Sequence, residues 1–320
     1  MRHLLDIFDL TAEEMGQLLN EAVRWKANIL KGERPPVFRG RVLGLIFEKP
    51  SLRTRASFEA AMAQLGGSSI FLTGQDAGLG VRESIADFAQ VFSQYVDAVV
   101  LRTFRHATVA EFAQHATVPT INGLSDEAHP CQALGDLLTI QEIFGDLAGR
   151  TVVFVGDGNN VARSLAVACG KLGVRFILSS PPGYGFPDEF LRRCQLAVPD
   201  ADIRQIADPR QAVRSADIVY TDVWTSMGQE SERKQRKKKF AAYQVNAELL
   251  AQAPAHAKVM HCLPAHREEE VTSAVLDGDR SVVIQQAANR LHAQRALLLQ
   301  VLPAAAGPSG QSSRQAEAKP

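Results

Sequence analysis

The chain has 320 residues, more than one ordinary core needs and enough for two domains of ~150 residues each. Hydrophobic residues make up 46% and charged ones 22%, a balance that excludes a disordered or a membrane-embedded chain. Lys plus Arg and Asp plus Glu number 35 each, so no global field favours nucleic acid and any anion site is local. The cysteines are Cys131, Cys169, Cys194 and Cys262, with no Cys-x-x-Cys pair, so neither a zinc ribbon nor a thioredoxin motif is present. The sequence opens without an apolar signal stretch or an Arg/Ser-rich presequence. No run approaches the ~18 apolar residues that span a bilayer. A cytoplasmic chain with reduced thiols is expected.

Strand-like apolar runs alternate with helix-periodic segments, the pattern of an α/β fold with parallel sheets. Thr11 is placed to cap a first helix. Residues 41–47 form a predicted buried strand, followed by a helix over 51–65 that stops at Gly66 and Gly67. A strand over 69–72, a helix over 83–95 and strands over 98–102 and 118–122 come next. A long helix over 132–144 ends at Gly145 and serves as connector, because the pattern restarts near Gly149. There, a strand over 151–155, a helix over 161–172 and strands over 175–179, 218–221 and 258–261 are expected. A last helix is predicted over 289–302, and residues 304–320 read as a disordered tail. No repeat of fixed period is present.

Chemistry concentrates just after strands. Ser51, Leu52, Arg53, Thr54 and Arg55 open the second helix, where Ser51 caps and the backbone N–H groups of Arg53 and Thr54 face an anion. Arg53 opposes the helix dipole there unless it meets an anion. A capped surface helix with solvated arginines is the alternative. Arg102 stands at a strand end, where ligands of open α/β sheets gather. His129 and Gln132 flank the start of the connector helix, facing a cleft or forming an ordinary His-Pro turn.

The run Gly156, Asp157, Gly158, Asn159, Asn160, Val161 resembles a dinucleotide fingerprint but fails twice. Val161 replaces the third glycine, and the next strand ends in Ser179 and Ser180 with no acidic residue for a ribose. No P-loop element occurs either, so no nucleotide cofactor is expected. Asn160 remains at a helix start to meet a polar group such as a carboxylate. Asp222 follows an apolar strand and suits an ammonium, with Ser226 and the backbone of Met227 nearby. His261, Cys262 and Leu263 follow another strand. Cys262 lacks a dedicated base and orienter, and His261 with His266 lacks a third metal ligand at a recognisable spacing, so no metal is expected. Arg290 can reach an anion or a carbonyl group from the last helix. The basic run over 233–239 has no interleaved aromatics, and a solvated lid or loop is expected rather than a nucleic-acid surface.

Together, Ser51-x-Arg53-Thr54-Arg55, His129-Pro130-x-Gln132, Asp222-x-Trp224-x-Ser226-Met227-Gly228 and His261-Cys262-Leu263-Pro264 resemble the aspartate/ornithine carbamoyltransferase family, on its ornithine branch, over residues 2–302. The resemblance implies two doubly wound parallel-sheet domains joined by a connector helix, the C-terminal helix returning to the first. It assigns residues 1–133 plus 289–303 to carbamoyl phosphate and 134–288 to ornithine. Ser51, Leu52, Arg53, Thr54, Arg102, His129, Gln132, Cys262, Leu263 and Arg290 are then expected to hold carbamoyl phosphate. Asn160, Asp222, Ser226 and Met227 are expected to hold L-ornithine. Arg102, His129, Cys262 and Asp222 carry the catalytic expectation, with no cofactor, no metal and a homotrimer or a multiple of one. The implied reaction carries the carbamoyl group to the δ-amine of ornithine. Two departures stand out: Gly78 occupies a position where the family commonly has Gln or His, and residues 285–289 lack the usual acidic side chains before Arg290. A carbamoyltransferase for putrescine, N-acetylornithine or aspartate is the nearest alternative, and a non-catalytic ligand-binding relative is another.

Overall fold

The computed structural model describes residues 3–225 and 230–302. The expectations for Ser226, Met227, Gly228 and the tail over 304–320 fall outside these residues. The first half runs α1 (Ala12–Leu30), β1 (Val42–Phe47), α2 (Leu52–Gln64), β2 (Ser68–Thr73), α3 (Gly74–Ala77), α4 (Ile85–Phe92), β3 (Ala98–Arg102), α5 (His106–His115), β4 (Thr120–Leu124) and α6 (Pro130–Phe144). Its strands form one parallel sheet in the order β2-β1-β3-β4. The second half runs β5 (Thr151–Val155), α7 (Asn160–Lys171), β6 (Arg175–Ser179), α8 (Asp188–Ala197), β7 (Ile203–Gln205), α9 (Pro209–Ala212) and β8 (Ile218–Thr221). It continues with α10 (Arg233–Phe240), α11 (Ala247–Leu250), β9 (Lys258–His261), α12 (Ser273–Leu276) and α13 (Val283–Val301). The order of its parallel sheet is β7-β6-β5-β8-β9.

Local chemistry accounts for the boundaries. Thr11 and Glu14 close a reciprocal capping box on α1, the Thr11 side chain accepting the Glu14 N–H and the Glu14 carboxylate accepting the Thr11 N–H. Pro130 takes the first position of α6, where its missing N–H costs nothing. Strands β3 and β5 are buried along their whole length, as apolar runs covered by helices on both faces must be, whereas the edge strand β2 is largely uncovered.

A single apolar cluster runs through both halves, joining Leu45 of β1, Leu134 and Leu137 of α6, Phe154 of β5, Leu165 of α7 and Leu297 of α13. The connector is thus a core helix rather than an exposed strut. Helix α13 packs against α6, α1 and α2, which brings the end of the chain back to the first half.

Two expectations need correction. Helix α13 begins at Val283, not Asn289: no Ser, Thr, Asp or Asn caps it, so its start carries no local signal. The basic run over 233–239 belongs to helix α10, not a loop. Phe240 is anchored in the cluster behind the second sheet, and Arg236 is buried against Asp157 at 2.5 Å and the Trp224 carbonyl at 3.0 Å.

Candidate active site

Each sheet reverses its winding at its middle, between β1 and β3 in the first and between β5 and β8 in the second. Ligands of doubly wound sheets bind outside the carboxyl ends of strands at such points. The segments leaving β1, β3, β5, β8 and β9 all line one cleft of about 900 Å³ between the two halves.

The first wall is cationic. Ser51 caps α2, its hydroxyl accepting the Thr54 N–H at 3.3 Å, so of the two N–H groups expected to face an anion Thr54's is already engaged by the cap. Leu52 is 80% exposed, so only its backbone serves the helix start. Arg102 ends β3 and is buried, as are His129 and Gln132 at the start of α6 and Arg290 on α13. Glu48 ties the ends of β1 and β3 together: its N–H donates to the Arg102 carbonyl at 2.8 Å and its carboxylate accepts the Phe104 N–H at 2.7 Å. Arg290 donates to the Gln132 Oε1 and, at 3.2 Å, to the Thr54 hydroxyl. Its support therefore comes from α6 and α2, without the acidic residues missing over 285–289.

Burial, with Arg290 and Arg53 close by, lowers the Arg102 pKa to about 10. Burial and the same cationic neighbourhood, here Arg290 and Arg102, hold His129 neutral, well below the usual imidazole range. Arg102 Nε, His129 Nδ1 and Arg290 Nε have no partner among the described residues. Crowded cations with unspent polar atoms are the signature of an anion site.

The second wall carries the opposite character. Asp222 follows β8 and is 7% exposed. Its carboxylate accepts from the Asn159 amide at 2.9 Å, from the Cys262 thiol at 2.9 Å and from the Val223 N–H at 2.8 Å. Burial and this carboxylate push the Cys262 thiol well above its ordinary value, so it is a neutral donor and not a thiolate. Leu263 has a left-handed backbone, φ 55, a strained conformation for a branched residue. The imidazole of His261 holds it, Nδ1 accepting the Leu263 N–H at 2.8 Å while Nε2 faces the buried Glu270 at 3.1 Å.

Asn160 lines the cleft, but its amide donates to the Ser125 carbonyl at 2.6 Å. The helix cap is its neighbour: the Asn159 oxygen accepts the Val161 and Ala162 N–H groups at 3.0 Å each. Asn159 therefore both starts α7 and braces Asp222, a residue that sequence reasoning passed over although the adjacent asparagines after a strand are a capping signal.

Chain spacing offered no third metal ligand, yet the fold brings Asp222, His261 and Cys262 donor atoms within 4.8 Å of one another. Both His261 nitrogens are already engaged, so this cluster has no imidazole to give a metal. The failed dinucleotide motif has a packing explanation: a Cβ on Gly158 would meet the Gly185 backbone at 2.9 Å, so that glycine serves a close approach of chain to chain. Gly78 likewise has a local cause. It closes α3 in the left-handed region, φ 57, where a Gln or His would be strained and would meet the Arg82 side chain.

The fold and cleft define a two-domain α/β protein whose cleft sets a cationic wall opposite one that carries a buried carboxylate. Two family models match the chain. The carbamoyl-P binding domain of aspartate/ornithine carbamoyltransferase matches residues 2–142, and the Asp/Orn binding domain matches residues 148–301. The chain belongs to the aspartate/ornithine carbamoyltransferase family. It is 50% identical over 303 residues to the ornithine carbamoyltransferase of Bacillus subtilis, covering 94% of each chain. To that of Methanopyrus kandleri it is 51% identical over 299 residues, covering 92% of this chain and 96% of the other. Its structure resembles ornithine carbamoyltransferase from Pyrococcus furiosus with a TM-score of 0.91 at 48% identity, covering 94% of this chain and 97% of that one.

Proposed function

We propose that this chain transfers the carbamoyl group of carbamoyl phosphate to the δ-amine of L-ornithine, giving L-citrulline and phosphate. One observation carries the assignment: Arg102 and Arg290 crowd neutral His129, and Arg53 and Arg290 crowd Arg102, on one wall, across from the Asp222–Cys262 pair on the other. The relatives named above support the same substrates.

In this assignment Ser51, Leu52, Arg53 and Thr54 hold the phosphate, and Arg102, His129, Gln132, Arg290 and the backbone of Cys262 and Leu263 hold the carbamoyl end. Asp222, Cys262 and Asn160 take the amine substrate, together with Ser226 and Met227. Residues 1–133 with 289–303 form the carbamoyl-phosphate domain and 134–288 the ornithine domain; packing of α13 on α1 and α2 supports that division.

The neutral δ-amine attacks the carbamoyl carbon, and Arg102 and His129 stabilise the charge that develops on the carbonyl oxygen. The bond from that carbon to the bridging oxygen breaks, and phosphate leaves toward the α2 start with the proton released by the amine. The step balances between its two substrates without a cofactor, so its acceleration comes from orientation and electrostatics. A cytoplasmic role in arginine biosynthesis fits this product. No helix among the described residues is long and apolar enough to cross a membrane. A homotrimer, or a multiple of one, fits the exposed Ile70, Val81, Val91 and Tyr95 of the first domain. Phosphate release from carbamoyl phosphate, followed with and without L-ornithine, tests the proposal. Release that requires ornithine is expected; ornithine-independent hydrolysis, or none, contradicts it.

A further inference from the structure

We infer that Asp136 is a positioning residue that fixes which atom Gln132 turns toward the carbamoyl group, and thereby selects a carbamoyl over an acyl group of the same shape. The inference rests on the placement of Gln132 at the carbamoyl end of the cleft.

Asp136 is fully buried on α6, one turn beyond Gln132. Its Oδ1 accepts from the Gln132 amide at 2.8 Å and the Gln286 amide at 2.7 Å, and its Oδ2 accepts from the Tyr220 hydroxyl at 3.1 Å. Every partner is a donor, which suits an ionised carboxylate. Burial pushes the carboxyl up to about 6 while these three donors pull against it, so it is charged at neutral pH.

The two ends of a glutamine amide have nearly the same shape, so its neighbours decide which end goes where. A carboxylate only accepts, which forces the Gln132 nitrogen toward Asp136. A guanidinium only donates, which forces the Gln132 oxygen toward Arg290. The two constraints agree, and the oxygen keeps a second lone pair for the cleft. The –NH2 of a carbamoyl group can donate to that lone pair, whereas the methyl of acetyl phosphate cannot. With the amide reversed, donors would face donors on both sides.

The same carboxylate sets the opposite side. By holding the Gln286 nitrogen, Asp136 leaves the Gln286 oxygen to accept the His261 N–H at 2.9 Å. His261 in turn fixes the Leu263 backbone. One buried charge thus orients groups from α6, α13 and β9 that meet at the carbamoyl end.

Carbamoyl-phosphate saturation of the full-length enzyme, with acetyl phosphate as competitor, tests this in Gln132→Ala, Asp136→Leu and the double variant Asp136→Leu/Gln132→Glu. In Asp136→Leu nothing accepts from the Gln132 nitrogen, so the amide is no longer held from both sides. KM for carbamoyl phosphate is expected to rise roughly ten- to hundredfold, the scale of one lost hydrogen-bond partner in a buried site. Acetyl-phosphate inhibition should stay unchanged, because the phosphate end is untouched. In the double variant the carboxylate at 132 offers an oxygen to both Arg290 and the cleft in either orientation, and most of the loss should be recovered. Equal losses for both acyl phosphates, an unchanged KM in Asp136→Leu, or no recovery in the double variant overturns the inference. If Gln132→Ala leaves KM unchanged, the site placement itself is wrong; if only Asp136→Leu does so, the placement survives and the inference falls. Should Asp136→Leu not fold, the wild type decides: acetyl phosphate binding about tenfold or more weaker than carbamoyl phosphate is expected, and equal binding overturns it.

Discussion

Replacing Cys262 separates two chemistries that look alike in sequence. The thiol donates to Asp222 at 2.9 Å, and Asp222 keeps two other donors, the Asn159 amide and the Val223 N–H. Burial and the neighbouring carboxylate keep the thiol protonated, so it contributes one neutral hydrogen bond and no nucleophile. Cys262→Ser preserves a donor, and the expected loss is about 1 kcal/mol, roughly fivefold in kcat/KM for ornithine. Cys262→Ala leaves Asp222 one donor short, with an expected loss of about 1–3 kcal/mol, up to roughly 150-fold. Removing a covalent nucleophile would instead cost on the order of a millionfold in kcat. The assay is initial-rate citrulline formation across ornithine concentrations at saturating carbamoyl phosphate, with intact-mass analysis during turnover. A folded Cys262→Ser enzyme slowed more than about ten-thousandfold, or a carbamoylated Cys262, would refute the reasoning.

Arg53→Ala removes a charged donor beside the α2 start, and KM for carbamoyl phosphate should rise roughly tenfold to a hundredfold with unchanged circular dichroism; unaltered saturation curves would remove Arg53 from the site. Arg236→Met leaves the partly buried Asp157 without its closest cation, a loss of about 1–3 kcal/mol measurable by urea unfolding. A change within the error of the wild-type curve would mean that the pair adds nothing to stability. Burial and the nearby Arg295 lower the His292 pKa to about 4. The folded imidazole therefore refuses a proton that the unfolded one takes, and stability falls as pH drops from about 6.5 toward that value. His292→Gln should reduce the slope of stability against pH in that window by up to about 1.4 kcal/mol per unit, and identical slopes for the two proteins would contradict this.

The strands were the most legible part of the fold, because β3, β6, β8 and β9 are apolar runs that end at polar residues and β5 is one that ends before Gly156. The cationic wall was legible for a related reason: Arg102 ends such a run, and Arg53 stands in the first turn of the helix that follows β1. What stayed hidden depends on distance in the chain. Asn159 reaches Asp222 and Arg236 reaches Asp157 across long separations, and nothing local marks either pair. Asp136 stands at helical spacing from Gln132, but its other partners, Tyr220 and Gln286, come from a strand and a helix far along the sequence. The start of α13 and the helix α10 were missed because tertiary packing, not a capping residue, sets them.

Initial rates of carbamoyl transfer by the purified chain, measured with L-ornithine, putrescine, N-acetylornithine and L-aspartate at one carbamoyl-phosphate concentration, address the proposed function most directly. Citrulline formation from L-ornithine, with a kcat/KM well above that for each other amine, is expected from the chain's likeness to ornithine carbamoyltransferases. Comparable or faster transfer to another amine, or no transfer to ornithine by a folded protein that binds carbamoyl phosphate, would contradict it.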